Sequence, residues 1–168
     1  DYTAEYIRTA RALSKLVGLE SNTTFMEASA LELPFEANEF DVVWTQHAQM
    51  NIGDKTRFYE EIKRVLKPGG KFVYYDVFGV GRDDIHFPVP WAEEPQSSFL
   101  MKHSDVTSHF NSSNWTQVFQ EDHTQNSTNF LSTSLKKASQ GEGPALGLNL
   151  LMRESTFKKL SNLLRCLE

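Results

Sequence analysis

An α/β fold, with a parallel sheet and helices over its faces, is predicted by three observations on this chain of 168 residues. "FDVVWT", residues 40–45, is an apolar run of strand length. An amphipathic helix follows, in which Phe58, Ile62, Val65 and Leu66 recur at the i, i+4, i+7, i+8 spacing of one helical face. Then "KPGG", residues 67–70, stops the helix and leads into a second apolar run, Lys71 to Phe78. Strand, helix, tight turn and strand make a β-α-β unit, whose two strands run parallel. The length suits a single domain, residues 1–168.

The elements follow in order. From Thr3, a candidate N-cap, Tyr6, Ile7, Ala10, Leu13 and Val17 recur near helical spacing until Gly18, which fits a C-terminal stop. After the Glu20-Ser21-Asn22 turn, the β-branched and aromatic stretch Thr23 to Ala28 predicts a strand. The next strand, Phe40 to Thr45, is nearly all apolar, which predicts burial on both faces and places Trp44 in the core. Asp54 caps the second helix, in which Glu60-Glu61 and Lys63-Arg64 read as a solvated face. At its end, Gly69 or Gly70 takes the left-handed turn conformation. Gly79 to Lys102 has no clear period and holds Pro88, Pro90 and Pro95; an irregular connection of that length reads as a functional lid or loop. Ser104 to Phe110 is a short helix, Trp115 to Gln120 a strand, and Thr124 to Ala138 a polar helix broken by Gly141-Glu-Gly-Pro144. A last helix runs from about Leu146 to the end, with Leu148, Leu151 or Met152, Phe157, Leu160, Leu163 and Leu164 as its apolar side.

Composition narrows the function classes. A net charge of −5, with no run of basic residues beyond pairs, argues against a nucleic-acid partner. A single cysteine, Cys166, excludes an internal disulfide and a cysteine-based zinc site. No stretch approaches the length of a membrane span and no signal-like segment opens the chain, so the sequence reads as cytoplasmic. The Asn-x-Ser/Thr triplets at Asn22, Asn111, Asn114 and Asn126 are read as local polar richness, not glycosylation. His86, His103, His109 and His123 have no metal-ligand spacing, and no metal is expected.

"ALELPFEANEFDVVW", "EEIKRVLKPGGKFVYYD" and "FPVPWAEEPQSSFL" resemble three successive blocks of class I S-adenosylmethionine (SAM)-dependent methyltransferases. The similarity is to the small-molecule branch that includes ubiquinone/menaquinone C-methyltransferases and glycine, sarcosine and dimethylglycine N-methyltransferases, and it covers roughly Asp1 to Phe130. The resemblance implies a doubly wound, mostly parallel Rossmann-like sheet. The family's Gly-rich cofactor loop has no counterpart here, since neither Gly79-Val-Gly81 nor Gly141-Glu-Gly143 lies between a strand and a helix. A fragment is therefore expected, beginning at the end of the second strand and stopping before the last. Such a fragment exposes sheet edges and invites pairing with a second copy.

In open parallel sheets ligands bind beyond the carboxyl ends of the strands. With the resemblance, that rule implies SAM binding, with S-adenosylhomocysteine as product, at Asp1, Tyr2, Ser29, Ala30, Leu31, Thr45 and Gln46. Asp1 falls where the family has its ribose-binding acid. Ser29 stands where it usually has the adenine-contacting Asp, which weakens one hydrogen bond while the Ala30 and Leu31 backbone can still serve. His47, Met50, Asn51, Trp91 and Phe99 fall on the substrate side, and the aromatic faces suit a methylated ammonium. His47 is the candidate general base, whereas Asp76, at the rim, reads equally well as a turn or cap carboxylate.

The expected function is methyl transfer from SAM to a small-molecule acceptor, an amine or a quinone-like or enol carbon. The alternative is a non-catalytic methyltransferase-like binding or regulatory module, favoured by Ser29 and the missing Gly-rich loop. Arsenic methyltransferases need several cysteines. Nucleic-acid amino-methyltransferases carry an Asp/Asn-Pro-Pro-aromatic motif where this chain has Thr45-Gln46-His47-Ala48, and a nicotinamide dehydrogenase needs its Gly-rich fingerprint.

Overall fold

The computed structural model describes residues 1–79, 85–142 and 147–167, apart from the side chain of residue 151. Gly81, Gly143, Pro144, the expected helix start at Leu146 and the Leu151 side chain lie outside the described residues. The described residues form two compact units, one of Asp1–His47 with Ile52–Tyr75 and one of Ala48–Asn51 with the residues from Asp76 onward.

The first unit holds the predicted β-α-β. Helix α1, Ala4–Leu16, ends where Gly18 turns left-handed at φ 72°. Thr3 occupies the N-cap position without a side-chain cap bond; the Thr3 N–H instead donates to Asp1 Oδ1 at 2.8 Å. Strand β1, Phe40–Gln46, pairs in parallel with β2, Leu66–Tyr75. Between them α2, Lys55–Val65, is capped by Asp54, whose carboxylate accepts from the Arg57 N–H at 2.9 Å. The predicted stripe is core: Phe58, Ile62, Val65 and Leu66 are all buried, and Tyr59 is buried beside them. Each such side chain contributes about 1.5–3 kcal/mol by leaving water.

The turn predicted at "KPGG" is a bulge inside β2. Phe40 opposes Leu66 and Val42 opposes Lys71, so Lys67–Gly70 loop out of the ladder. Gly69 has φ 79°, a conformation that disfavours a side chain. Gly70 is required for a different reason, since a Cβ there would stand 2.9 Å from the Lys67 carbonyl oxygen and 3.1 Å from that of Asp41.

Three expectations change in this unit. Thr23 to Ala28 is not a strand: Asp1 N donates to Met26 O and Ala28 N to Asp1 O, a single parallel rung with no ladder beyond it. β1 is buried on one face only. Val43, Thr45, Phe72 and Tyr74 lie toward α2, where the Tyr59 and Phe72 rings meet edge to face at 6.3 Å. Val42, Trp44, Val73 and Tyr75 alternate onto the opposite face and are exposed, Trp44 by 65%. Trp44 is thus not a core residue, because the two-stranded sheet carries a helix on one side only among the described residues of this unit. Glu61, expected in solvent, is buried.

The second unit is mainly helical. Helices α3, His103–Ser112, and α4, Thr124–Ser139, match their predictions closely. Trp115 to Gln120 is not a strand, for Val118 and Phe119 are 79% and 76% exposed with no ladder partner. The single last helix is instead α5, Leu148–Met152, a 3-10 turn, Arg153–Ser155, and α6, Thr156–Leu167, with Arg153 at φ 51° marking the break. α6 packs on α4, and its most buried positions are polar, Lys159 and Asn162. No helix among the described residues is long and apolar enough to cross a membrane.

Candidate functional site

Each unit carries part of the predicted site. In the first, the carboxyl ends of β1 and β2 present Thr45, Gln46, His47 and Tyr75. Thr45 faces α2, and its hydroxyl is buried without a hydrogen-bond partner among the described residues. Gln46 and His47 are exposed. His47 is held at φ 50°, its N–H donating to the Tyr75 carbonyl at 2.9 Å and its ring 5.2 Å from the Tyr75 ring. A left-handed residue directly after a strand turns the chain sharply off the sheet, which puts the imidazole at the rim.

The Ser29-Ala30-Leu31 stretch is a tight turn. The Glu32 N–H donates to the Ser29 carbonyl at 3.2 Å, and the Leu31 N–H donates to Ser29 Oγ at 3.1 Å. Ser29 therefore serves the loop's own backbone and keeps its O–H as a donor. Asp1 and Tyr2 are exposed; the Asp1 carboxylate accepts from the Thr3 N–H at the start of α1.

Residues that the sequence did not single out hold this loop. Glu61 accepts from the Leu33 N–H at 2.8 Å and from Arg64 at 2.9 and 2.7 Å, and pairs with Arg57 at 3.1 Å. The arginines in turn donate to loop carbonyls, Arg57 to Leu31 at 3.0 Å and Arg64 to Phe35 at 2.7 Å and Leu33 at 2.9 Å. The Arg64 hydrogen bonds, with the Leu33 N–H and the positive charges of Arg64 and Arg57, outweigh the effect of burial and hold the Glu61 carboxyl down to about 2. The same carboxylate raises the Arg64 guanidinium. The missed signal was the spacing Arg57, Glu61, Arg64, which puts three charges on one side of a helix.

In the second unit, Gln49 is buried and donates to both Asp76 oxygens, from its backbone N–H at 3.3 Å and from Nε2 at 2.8 Å. Asp76 is thus committed to a buried amide, and Gln49 joins Arg57, Glu61 and Arg64 as a residue whose role its sequence pattern does not announce. Met50 is buried and its carbonyl accepts from the Phe99 N–H at 2.9 Å; Asn51 is exposed. Trp91 is half-buried, donating from Nε1 to Ser98 Oγ at 2.9 Å, and Phe99 is 44% exposed. The structure therefore brings Met50 to Phe99 and Gln49 to Asp76. The described part of the proline-rich segment is built, not loose: Val89 and Ala92 exchange hydrogen bonds at 2.8 and 3.2 Å. From α6, Asn162 Nδ2 donates to the Pro88 carbonyl at 2.9 Å and Lys159 pairs with Glu93.

Residues 1–74 match the family described as methyltransferase domain. Over 66 residues the chain is 39% identical to the glycine/sarcosine/dimethylglycine N-methyltransferase of Actinopolyspora halophila, covering 39% of this chain and 12% of that protein. Over 76 residues it is 33% identical to the 2-phytyl-1,4-naphtoquinone methyltransferase of Trichormus variabilis, covering 45% of this chain and 33% of that one. The structure superposes on a putative sarcosine dimethylglycine methyltransferase from Galdieria sulphuraria with a TM-score of 0.66 at 16% identity, over 98% of this chain and 62% of the other. The fold is that of the class I methyltransferases.

Two further structures share the methyltransferase fold. SpnF, described as a 4+2 cyclase, gives a TM-score of 0.67 at 18% identity over 99% of this chain and 57% of its own. The phosphoethanolamine N-methyltransferase 2 of Haemonchus contortus, solved with phosphomonomethylethanolamine and S-adenosylhomocysteine, gives 0.55 at 20% identity over 82% of this chain and 31% of its own. The resemblance read from the sequence holds over residues 1–74. The chain spans less than two thirds of the length of each of these relatives.

Proposed function

We propose that the protein is a SAM-dependent methyltransferase acting on a small molecule, an amine or a quinone-like or enol carbon. The observation that carries this reading is the match of residues 1–74 to the methyltransferase domain. Relatives named for glycine derivatives and for a naphthoquinone support the acceptor class. When bound, SAM supplies a methyl group on a cationic sulfur with a neutral leaving group. The donor set suits it. Among the described residues the Ala30 N–H has no partner and the Ser29 O–H remains a donor, while the Leu31 N–H is taken by Ser29 and the Thr45 hydroxyl is turned toward α2. Adenine and ribose present the acceptors and donors such groups need.

The chain's own residues then hold and orient. In this reading Ser29, Ala30 and Leu31, with Asp1 and Tyr2, bind the nucleoside, and Thr45 and Gln46 the methionine end. Met50, Asn51, Trp91 and Phe99 line the acceptor side, and the segment 79–102 acts as the substrate-side cover. His47 accepts the acceptor's proton, which its exposed ring at the end of β1 supports. Chain 1–168 acts as one domain, and the strand edges that lack a partner among the described residues pair with a second copy, checked by sedimentation at rising concentration.

The test supplies labelled SAM and a panel of glycine derivatives and demethylated quinones to the natural full-length chain containing these residues. Label transferred to one class and not the other supports the reading and assigns the acceptor. A second reading, a methyltransferase-like module without methyl transfer, is favoured by the neighbour described as a cyclase, because a shared fold does not fix its chemistry. Cofactor binding without transfer to any acceptor would favour that one.

A further inference from the structure

The Arg57, Glu61 and Arg64 side chains make an arrangement that core packing of α2 does not require. A buried carboxylate is costly unless every lone pair is used, and Glu61 uses them on two guanidiniums and one backbone N–H. Neither arginine stops there. Each also donates to backbone carbonyls, Arg57 to that of Leu31 and Arg64 to those of Leu33 and Phe35. These carbonyls lie along one turning segment, in which the Phe35 N–H also donates to the Leu33 carbonyl at 2.8 Å. The segment has no ladder of its own beyond the Ser29 to Glu32 bridge, so these bonds replace the ones a sheet would give.

We propose that the Arg57, Glu61 and Arg64 side chains are positioning residues that hold the 29–35 loop with the Ala30 N–H and Ser29 O–H presented to the adenine of the cofactor. The inference rests on the reading of Ser29 to Leu31 as the nucleoside contact. It accounts for how a loop with Ser29 in place of the usual carboxylate keeps a nucleoside site: rigidity replaces one hydrogen bond, since a pre-ordered donor loses less entropy on binding. Arginine is required at these places because only a planar fork can serve a carboxylate and a carbonyl together; a lysine ammonium keeps the charge but cannot span both.

The experiment compares the natural full-length chain with its Arg64→Lys variant. Three quantities are read: S-adenosylhomocysteine affinity by calorimetry, amide exchange of residues 29–35, and the KM for SAM against kcat. The expected result is an affinity about tenfold weaker, the loss of one charge-assisted contact network expressed as binding. Exchange in 29–35 accelerates while that of β2 does not, and KM for SAM rises far more than kcat falls. A merely structural role would lower stability and slow all steps without that split. Should Arg64→Lys fail to fold, Arg57→Lys carries the test, because the Arg57 side chain is half exposed; about threefold is expected there, from one bond lost. Unchanged affinity and unchanged exchange in a folded variant, with the parent binding normally, overturn the inference alone. A parent that binds no S-adenosylhomocysteine overturns the functional reading beneath it.

Discussion

Removing the Glu61 carboxylate leaves two guanidiniums and the Leu33 N–H without the group they share. Glu61→Ala is expected to cost on the order of 3 kcal/mol, the usual loss when one partner of a buried pair is deleted, and urea unfolding measures it. The pH dependence follows from the direction of the shift. The folded carboxyl titrates at about 2, below the 4.5 of an unperturbed glutamate, so the fold favours the charged form. Its stabilisation is complete above about pH 4.5 and is lost as pH falls toward 2. A urea midpoint followed across that window should fall more steeply for the parent than for Glu61→Gln. Glu36 also bears on Arg64 and belongs in the same titration as a control. At the rim, His47→Asn tolerates the left-handed backbone and removes the proposed base. It is expected to lower kcat by roughly 10²–10⁴ with cofactor affinity retained, and equal turnover would reassign the proton acceptor.

At the scale of elements, the two glycines of the β2 bulge separate two physical requirements. Gly69→Ala meets no atom and pays only for φ 79°, about 1–2 kcal/mol. Gly70→Ala drives a Cβ against two backbone oxygens and is expected to cost more, up to about 3 kcal/mol, because the ladder from Asp41 must move. Thermal melts of the two variants rank them. In the second unit, Asn162→Ala strips the Pro88 carbonyl of its donor. Its expected signature is faster amide exchange in 87–93 with α4 unaffected. Helices α1 to α4 and both paired strands were legible because each signal is local: a stripe, a cap, a proline, a glycine. Thr23 to Ala28 and Trp115 to Gln120 were misread because strand propensity does not supply a ladder partner, and neither stretch finds more than one rung. The break at Arg153 left no trace in the apolar pattern, which runs through it.

For the whole molecule, the fold class was readable from one β-α-β unit, while burial was not. Trp44 and Glu61 were each assigned the opposite environment, since which face of a sheet or helix is covered depends on elements remote in sequence. The candidate site was drawn from the sequence as positions, Ser29 to Leu31 and Thr45 to His47. The groups that hold those positions, Arg57, Glu61, Arg64 and Gln49, look like ordinary surface polar residues until their partners are in place. The measurement that tests the account most directly is a calorimetric titration of S-adenosylhomocysteine, once into residues 1–168 and once into the natural full-length chain that contains them. Saturable binding by the full-length chain, weakened by Arg64→Lys, is the predicted result. Absence of binding by both would contradict the methyltransferase reading.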